Sequence, residues 1–267
     1  MNTDAINAAA AELWAAQRDR TPVPPISQLY RDIDLTAACA IQQVNLRRRL
    51  TNGARLVGRK IGLTSAPMQQ LLSVDEPDYG FILDDMVIES DTIDRNKFCN
   101  PRAEPEVAFL LRSTLRGPGI TAADVYAATH AVATALEIVD SRIADWKLTL
   151  ADTVADNASS GAVILGDWIA YTDALDLPQT VATLTLNGVD IDTGLGAAVM
   201  GDPAAAVAWL ANALSEYGAD LTAGQFVMSG SYTTAAFIES GDRVTTTISG
   251  LGAVSVTCTE ENRCDTA

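Results

Sequence analysis

Glu104 and Glu106 stand two residues apart in Pro101-Arg102-Ala103-Glu104-Pro105-Glu106, just before the apolar run Val107-Ala108-Phe109-Leu110-Leu111. The run reads as a buried strand. Residues two apart on a strand point to the same side, so both carboxylates aim at one face. Side by side they repel and lose hydration unless a positive charge lies between them. A hard divalent cation supplies that charge with oxygen ligands alone. The alternative is a solvated acidic pair at a strand end. Pro105 has no N–H, which points to an edge or the mouth of a sheet. Glu137 interrupts Leu136-Glu137-Ile138-Val139-Asp140, and an acid in such company is costly if buried unpaired. It is a candidate third ligand.

Lys60 lies in Arg55 to Leu63, a strand-like segment with two glycines where backbone or ligand approaches closely. It either reaches solvent or is held near an anion. Asp78 sits in the proline-glycine turn Glu76-Pro77-Asp78-Tyr79-Gly80, and pattern alone gives an ordinary turn aspartate. The segment 151–161 is rich in small polar residues that can present hydroxyls and N–H groups to an anion. His130 is the one histidine. Any Ser-His-Asp or Cys-His mechanism, and any histidine-rich metal site, would have to use it. Its alanine-rich surroundings favour a structural role, leaving carboxylates, lysine, hydroxyls or a metal for catalysis. Cys39, Cys99, Cys258 and Cys264 lack paired spacing and read as individually placed, reduced residues.

These groups need a scaffold. Ala5 to Arg20 reads as a helix with Ile6, Ala10, Leu13 and Gln17 on one stripe. Thr21-Pro22-Val23-Pro24-Pro25 breaks it. Asp34 or Thr36 caps a second helix to about Leu50, and Arg47-Arg48-Arg49 suits the negative end of its dipole. A short helix is expected over Thr64 to Leu72 and another from Thr121. The last third is mostly β: a hairpin around Asn187-Gly188, strands at 226–228, 243–248 and 253–257, and one helix capped by Asp202 with Pro203 at its first position. The tail from Glu260 is expected to fray. The pattern is a mixed, β-rich α/β protein. With 267 residues it suits one large domain or a domain with a cap. The net charge of -16 argues against nucleic acid or an anionic membrane as partner. No apolar run stands out as a membrane span and Met1-Asn2-Thr3-Asp4 lacks a signal-peptide pattern, so a cytoplasmic protein is expected.

Taken in order, Gly58-Arg59-Lys60-Ile61-Gly62-Leu63-Thr64, the turn at Asp78, the Glu104-Pro105-Glu106 segment, Glu137 with Val139-Asp140-Ser141-Arg142, and Asp152 to Ser160 form a set. Each motif alone is weak, but together they resemble the 2-keto-4-pentenoate hydratase group of the fumarylacetoacetate hydrolase superfamily. The resemblance implies a β-roll or sandwich core at 76–267 under an N-terminal helical cap at 1–75. It implies Mg2+ or Mn2+ held by Glu104, Glu106 and Glu137, with Lys60 and Asp78 as acid–base groups. Arg59, Leu63, Asp156, Ser160 and Ser231 are implied in substrate binding. The implied reaction adds water to a 2-hydroxy-2,4-dienoate in meta-cleavage catabolism of aromatic or steroid rings. The implied partners are further copies of the chain, as a pentamer or decamer, and a downstream aldolase.

Two relatives of that group share parts of the pattern. Carbon–carbon hydrolases resemble the Glu-x-Glu pair but commonly use a histidine-centred dyad, which His130 does not match. The 4-oxalocrotonate decarboxylases are the alternative: they share the lysine strand, the glutamates and Ala155-Asp156-Asn157-Ala158-Ser159-Ser160, but typically lack an acid at the position of Asp78. Asp145-Trp146 and Asp152-Thr153 also look more like hydratases. A catalytically silent subunit is disfavoured because all five chemical positions are filled.

Overall fold

The computed structural model describes residues 1–65, 69–70, 74 and 76–260. Most of the helix expected over Thr64 to Leu72 lies outside the described residues, as does the tail beyond Glu260.

Three helices open the chain: α1 (Thr3–Asp19), α2 (Ile26–Leu29) and α3 (Leu35–Thr51). Asn2 caps α1 by accepting from Ala5 N at 2.9 Å, and Ala9, Ala10, Leu13 and Ala16 are its buried stripe. Of the two candidate caps for α3, the structure uses Asp34, which accepts from Ala37 N at 2.7 Å. Arg48 stacks over Trp14 and Arg49 pairs with Asp85, so the arginine run also ties α3 to its neighbours.

Among the described residues thirteen strands follow. They are β1 (Leu56–Gly62), β2 (Asp78–Leu83), β3 (Thr92–Asp94), β4 (Pro101–Leu111) and, after helix α4 (Ala122–Ala128), β5 (Thr129–Asp140). Helix α5 (Leu150–Ala155) precedes β6 (Ser160–Leu165), β7 (Ile169–Ala170), β8 (Val181–Leu186) and β9 (Val189–Leu195). Helix α6 (Pro203–Ser215) precedes β10 (Phe226–Met228), β11 (Ala236–Phe237), β12 (Arg243–Ile248) and β13 (Gly252–Thr259). The larger sheet runs β2-β1-β10-β4-β5-β6, with β11 also on β4 and β7 on β5; the smaller runs β3-β13-β12-β8-β9.

Alternation along β4 decides what each face meets. Ala103 packs with Leu136 and Ile138 of β5 against Leu184, Val244 and Val256 of the smaller sheet. Val107 and Phe109 pack with Val207, Leu210 and Leu214 of α6. On the opposite face Ala108, Ala135 and Met228 meet Leu46 of α3, so the helical layer covers the face that carries Glu104 and Glu106. Because β1 is an inner strand of the larger sheet, the cap formed by α1–α3 ends before it. We therefore propose the boundary of cap and catalytic regions ahead of Leu56, not at residue 75.

Pro105 is not on an edge, since β4 is paired on both sides. It sits where one flank passes from β10 to β11, and there its carbonyl accepts from Tyr232 N at 3.0 Å. The missing N–H falls in the gap, which is the mouth of the site. The stretch Gly196–Ser215 is long and apolar enough by composition to cross a membrane, which inspection of the apolar runs did not single out. In the fold α6 spends that apolarity on the core.

The buried pair Arg142–Asp156 fixes the chain beside the site. Arg142 Nε donates to Asp156 Oδ1 at 2.6 Å, and Nη1 to the carbonyls of Asp140 and Ser160 at 2.6 and 2.8 Å. Removing one partner of such a pair strands a buried charge, at about 3–5 kcal/mol. Arg142→Ala is therefore expected to lower the unfolding free energy by that amount in denaturant titration. A loss under about 1 kcal/mol would show that solvent reaches Asp156 and that the pair does not hold the loop.

Candidate active site

Strand register alone assembles the acids. In the antiparallel β4–β5 pair Glu104 stands opposite Glu137, and Glu106 lies on the same face two residues further in. One carboxylate oxygen from each of the three lies within 4.8 Å of the others. Glu106 and Glu137 are fully buried. Gly230 N donates to Glu106 Oε2 at 2.8 Å, but Glu106 Oε1 and both Glu137 oxygens accept no hydrogen bond. Buried carboxylate oxygens without donors are unusual, and a metal ion would complete them. The triad could thus hold a metal.

Lys60 enters from β1. Its Nζ is 3.4 Å from Glu137 Oε2 and donates to Ala158 O at 2.9 Å. That carbonyl is aimed by a left-handed turn: Asn157, Ala158 and Ser159 have φ of 57°, 49° and 53°. The small polar segment thus presents a carbonyl to a cation, where N–H groups facing an anion were expected. Asp78 begins β2 opposite Gly62. A Cβ at residue 62 would collide with Asp78 Oδ1 and crowd Lys60 Nζ, so glycine there is what lets Lys60 and Asp78 meet.

Burial sets the charges. It pushes the Asp78 carboxyl up, opposed by Lys60, the Thr153 hydroxyl and Gly62 N–H. Glu104 is pushed up to about 7 by burial, with Lys60 opposing and Glu137 adding to the rise. Glu106 is raised well above the usual carboxylate range by burial and by Glu137, and Glu137 is raised by burial against the pull of Lys60. Burial would discharge Lys60, but Glu137, Asp78, Glu104 and Glu106 outweigh it and hold the ammonium charged.

Lys60, Asp78 and Glu104 face a cavity of about 650 Å³ whose wall also includes Leu63, Arg102, Trp146, Ser159 and Ser231. Of the residues expected to bind substrate, Leu63 and Ser231 are on this wall. Ser160 is not; its buried hydroxyl stands beside Glu137 and favours the ionised carboxylate without completing a hydrogen bond. Arg59 follows strand alternation to the side opposite Lys60, and Asp156 is spent on Arg142. His130 is exposed on β5. Sequence reasoning gave no role to Arg102, Trp146 or Thr153. For Arg102 the signal was present: it lies two residues before Glu104 on one strand face.

Comparison with known proteins agrees with this architecture. The model of the family described as "Fumarylacetoacetate (FAA) hydrolase C-terminal" matches residues 54–259. The chain is 42% identical over 251 residues to 2-hydroxyhexa-2,4-dienoate hydratase of Comamonas testosteroni, covering 93% of this chain and 95% of that one. It is 41% identical over 247 residues to 2-keto-4-pentenoate hydratase of Paraburkholderia xenovorans, covering 92% of each. Among solved structures, 4-oxalocrotonate decarboxylase from Pseudomonas putida, complexed with magnesium and adipate, superposes with a TM-score of 0.93 at 32% identity over 97% of this chain and 98% of that one.

The raised acids predict proton-coupled metal binding. Metal needs ionised carboxylates, whereas burial keeps protons on the empty triad near neutrality. Metal affinity should therefore rise with pH through about 7, with proton release visible in calorimetry across buffers of different ionisation enthalpy. In the metal-free protein the folded pKa lies above the unfolded one, so this contribution to stability should fall as pH rises from 4.5 through about 7. An affinity flat from about pH 6 to 8 would mean the acids are ionised before metal arrives.

Proposed function

The chain belongs to the fumarylacetoacetate hydrolase family, and from that premise we propose a hydratase that adds water to a 2-hydroxy-2,4-dienoate to give a 4-hydroxy-2-oxo acid. Relatives about as long as this chain, at 42% and 41% identity, carry hydratase names of this kind. The observation that carries the choice of reaction is Asp78, a buried carboxyl held against Lys60 at the cavity wall. Addition of water needs a group that orients the nucleophile and takes its proton.

Glu104, Glu106 and Glu137 would hold the metal, and an all-oxygen set without histidine or thiolate suits Mg2+ or Mn2+. When bound, such an ion polarises the substrate's 2-oxygen and stabilises its enolate. Lys60 would handle the enol proton, which leaves the 2-oxygen as the carbonyl forms, and the four acids around it favour the charged ammonium that results. Asp78 would activate water or deliver the distal proton, with the Thr153 hydroxyl beside its carboxyl. Leu63 and Ser231 bound the substrate. Assembly as a homo-oligomer, hand-over of product to an aldolase and cytoplasmic location belong to the same proposal and rest on the resemblance.

A second proposal has one specific support: the 4-oxalocrotonate decarboxylase fold superposes over almost the whole chain. Decarboxylation needs an electron sink and a later protonation, and makes less use of Asp78.

Chelation is expected to abolish dienoate turnover and Mg2+ or Mn2+ to restore it. Asp78→Asn should slow hydration by about 10²–10⁴ while metal affinity by calorimetry stays within a few-fold. His130→Gln should keep activity within about tenfold, since His130 is exposed and away from the acids. Faster release of carbon dioxide from 4-oxalocrotonate than hydration of any monocarboxylic dienoate would replace the hydratase by the decarboxylase.

A further inference from the structure

One more acid lies on the cavity wall, apart from the triad and from Lys60: Asp192, on the edge strand β9 of the smaller sheet. Its Oδ2 accepts from Thr234 N at 2.9 Å and from the Thr234 hydroxyl at 2.7 Å, and Oδ1 accepts from Thr193 N at 2.8 Å. The Thr234 N–H, then its hydroxyl, hold the carboxyl below the usual carboxylate range. Asp192 is half-buried, so solvent lets it carry its charge without a counter-ion, unlike the dry triad. Among the described residues it forms no ion pair. Its place follows from the segment it holds. Gly230 N bonds to Glu106, Tyr232 N to Pro105 O, and Ala236 pairs with Ala103, so 230–236 runs outward along β4. Asp192 grips Thr234, near the outer end of that segment, and therefore stands towards the mouth.

We propose that Asp192 is a specificity-determining residue whose negative charge restricts the site to dienoates with an uncharged distal end and rejects diacids. This rests on the dienoate hydratase reading and names the substrate class within it. The substrate's C1 carboxylate and 2-oxygen go to the triad and its ion, at a floor where Glu106 and Glu137 are fully buried. Length added at the distal end can only be added outward, past Asp192. Nothing on the wall is set to receive a second carboxylate there. Lys60 is engaged by Glu137 and Ala158 O. Arg102 packs against the Trp146 and Phe237 rings, with Nε shut off from solvent and its charge already facing Glu104. Leu63, Leu148 and Ala198 offer only apolar surface. An alkyl end meets that surface, whereas a second carboxylate meets a like charge with no donor to offset it. Selection by repulsion of the wrong ligand needs no added grip on the right one.

The test is calorimetric binding of 2-oxohexanoate and of 2-oxohexanedioate to the Mg2+-loaded full chain; the two probes are equal in length and differ in the second carboxylate. The wild type should bind the monoacid more tightly. In Asp192→Asn, which keeps an acceptor for Thr234, the ratio of diacid to monoacid affinity should rise roughly tenfold, as removal of a like charge several ångströms away implies. The wild type alone supplies a second measurement, independent of how the variant folds. Raising ionic strength from about 0.02 to 0.5 M should narrow its preference several-fold, because salt screens a charge at the mouth. No preference for the monoacid in the wild type, a preference indifferent to salt, or the wild-type ratio in folded Asp192→Asn would each overturn the assignment of Asp192 while hydration of monocarboxylic dienoates still stood. A wild type that hydrates no dienoate would overturn the reading beneath it.

Discussion

Carboxylates that strand register forces together in a dry interior are the constraint from which the rest of this structure follows. Glu104, Glu106 and Glu137 cannot separate without breaking the longest strand pairing in the protein, because each sits in the middle of the β4–β5 ladder. Burial makes their ionised forms expensive, and their mutual repulsion adds to the cost. A fold keeps such an arrangement only if cations are delivered to it. Lys60 is a cation that the chain delivers, across the gap where β10 ends beside β4.

Delivering Lys60 imposes its own local demands. A lysine buried among acids still needs acceptors for its remaining protons. The left-handed turn at Asn157–Ser159 supplies Ala158 O, a conformation that asparagine tolerates and alanine and serine adopt only under constraint. The constraint is visible: the Asn157 side chain bonds to both N and O of Phe81 on β2, and Asp156 before it is locked by Arg142. Gly80 gives the turn room to lie on β2, and Gly62 gives Asp78 room beside Lys60. The strained turn, the two glycines and the buried ion pair are thus parts of one device that keeps a cation among acids.

What the sequence made legible was local. Period two placed Glu104 and Glu106 on one face, and Asp34, Thr121 and Asp202 announced their helices by capping chemistry. The Asn187-Gly188 hairpin formed as its turn residues require, with both residues at positive φ. The convergence of Lys60, Asp78 and Glu137 was legible only through resemblance, since pairing between strands distant in sequence has no local signature. Ser160 shows the same limit. One position separates it from Ser159, which lines the cavity, and only the φ values of the turn decide which of them faces that cavity. The resemblance implied Asp156 in substrate binding, and its carboxylate is engaged by Arg142, fourteen positions away.

Charge balance connects these parts. With Glu104, Glu106, Glu137 and Asp78 ionised, Lys60 and Arg102 leave two negative charges uncompensated at the cavity. A low-dielectric site cannot carry that excess, so the empty site retains protons, in agreement with the raised acids. A divalent cation removes the excess, whereas a monovalent one would leave the site anionic and repel an anionic substrate. The same balance explains why Asp78 lies apart from the triad on β2. Placed among the metal-binding acids it would be ionised and coordinated, but beside Lys60 and Thr153 its carboxyl remains free to gain and lose a proton. The two sets of acids are separated by strand, and under the proposed function that separation would divide holding a cation from moving a proton.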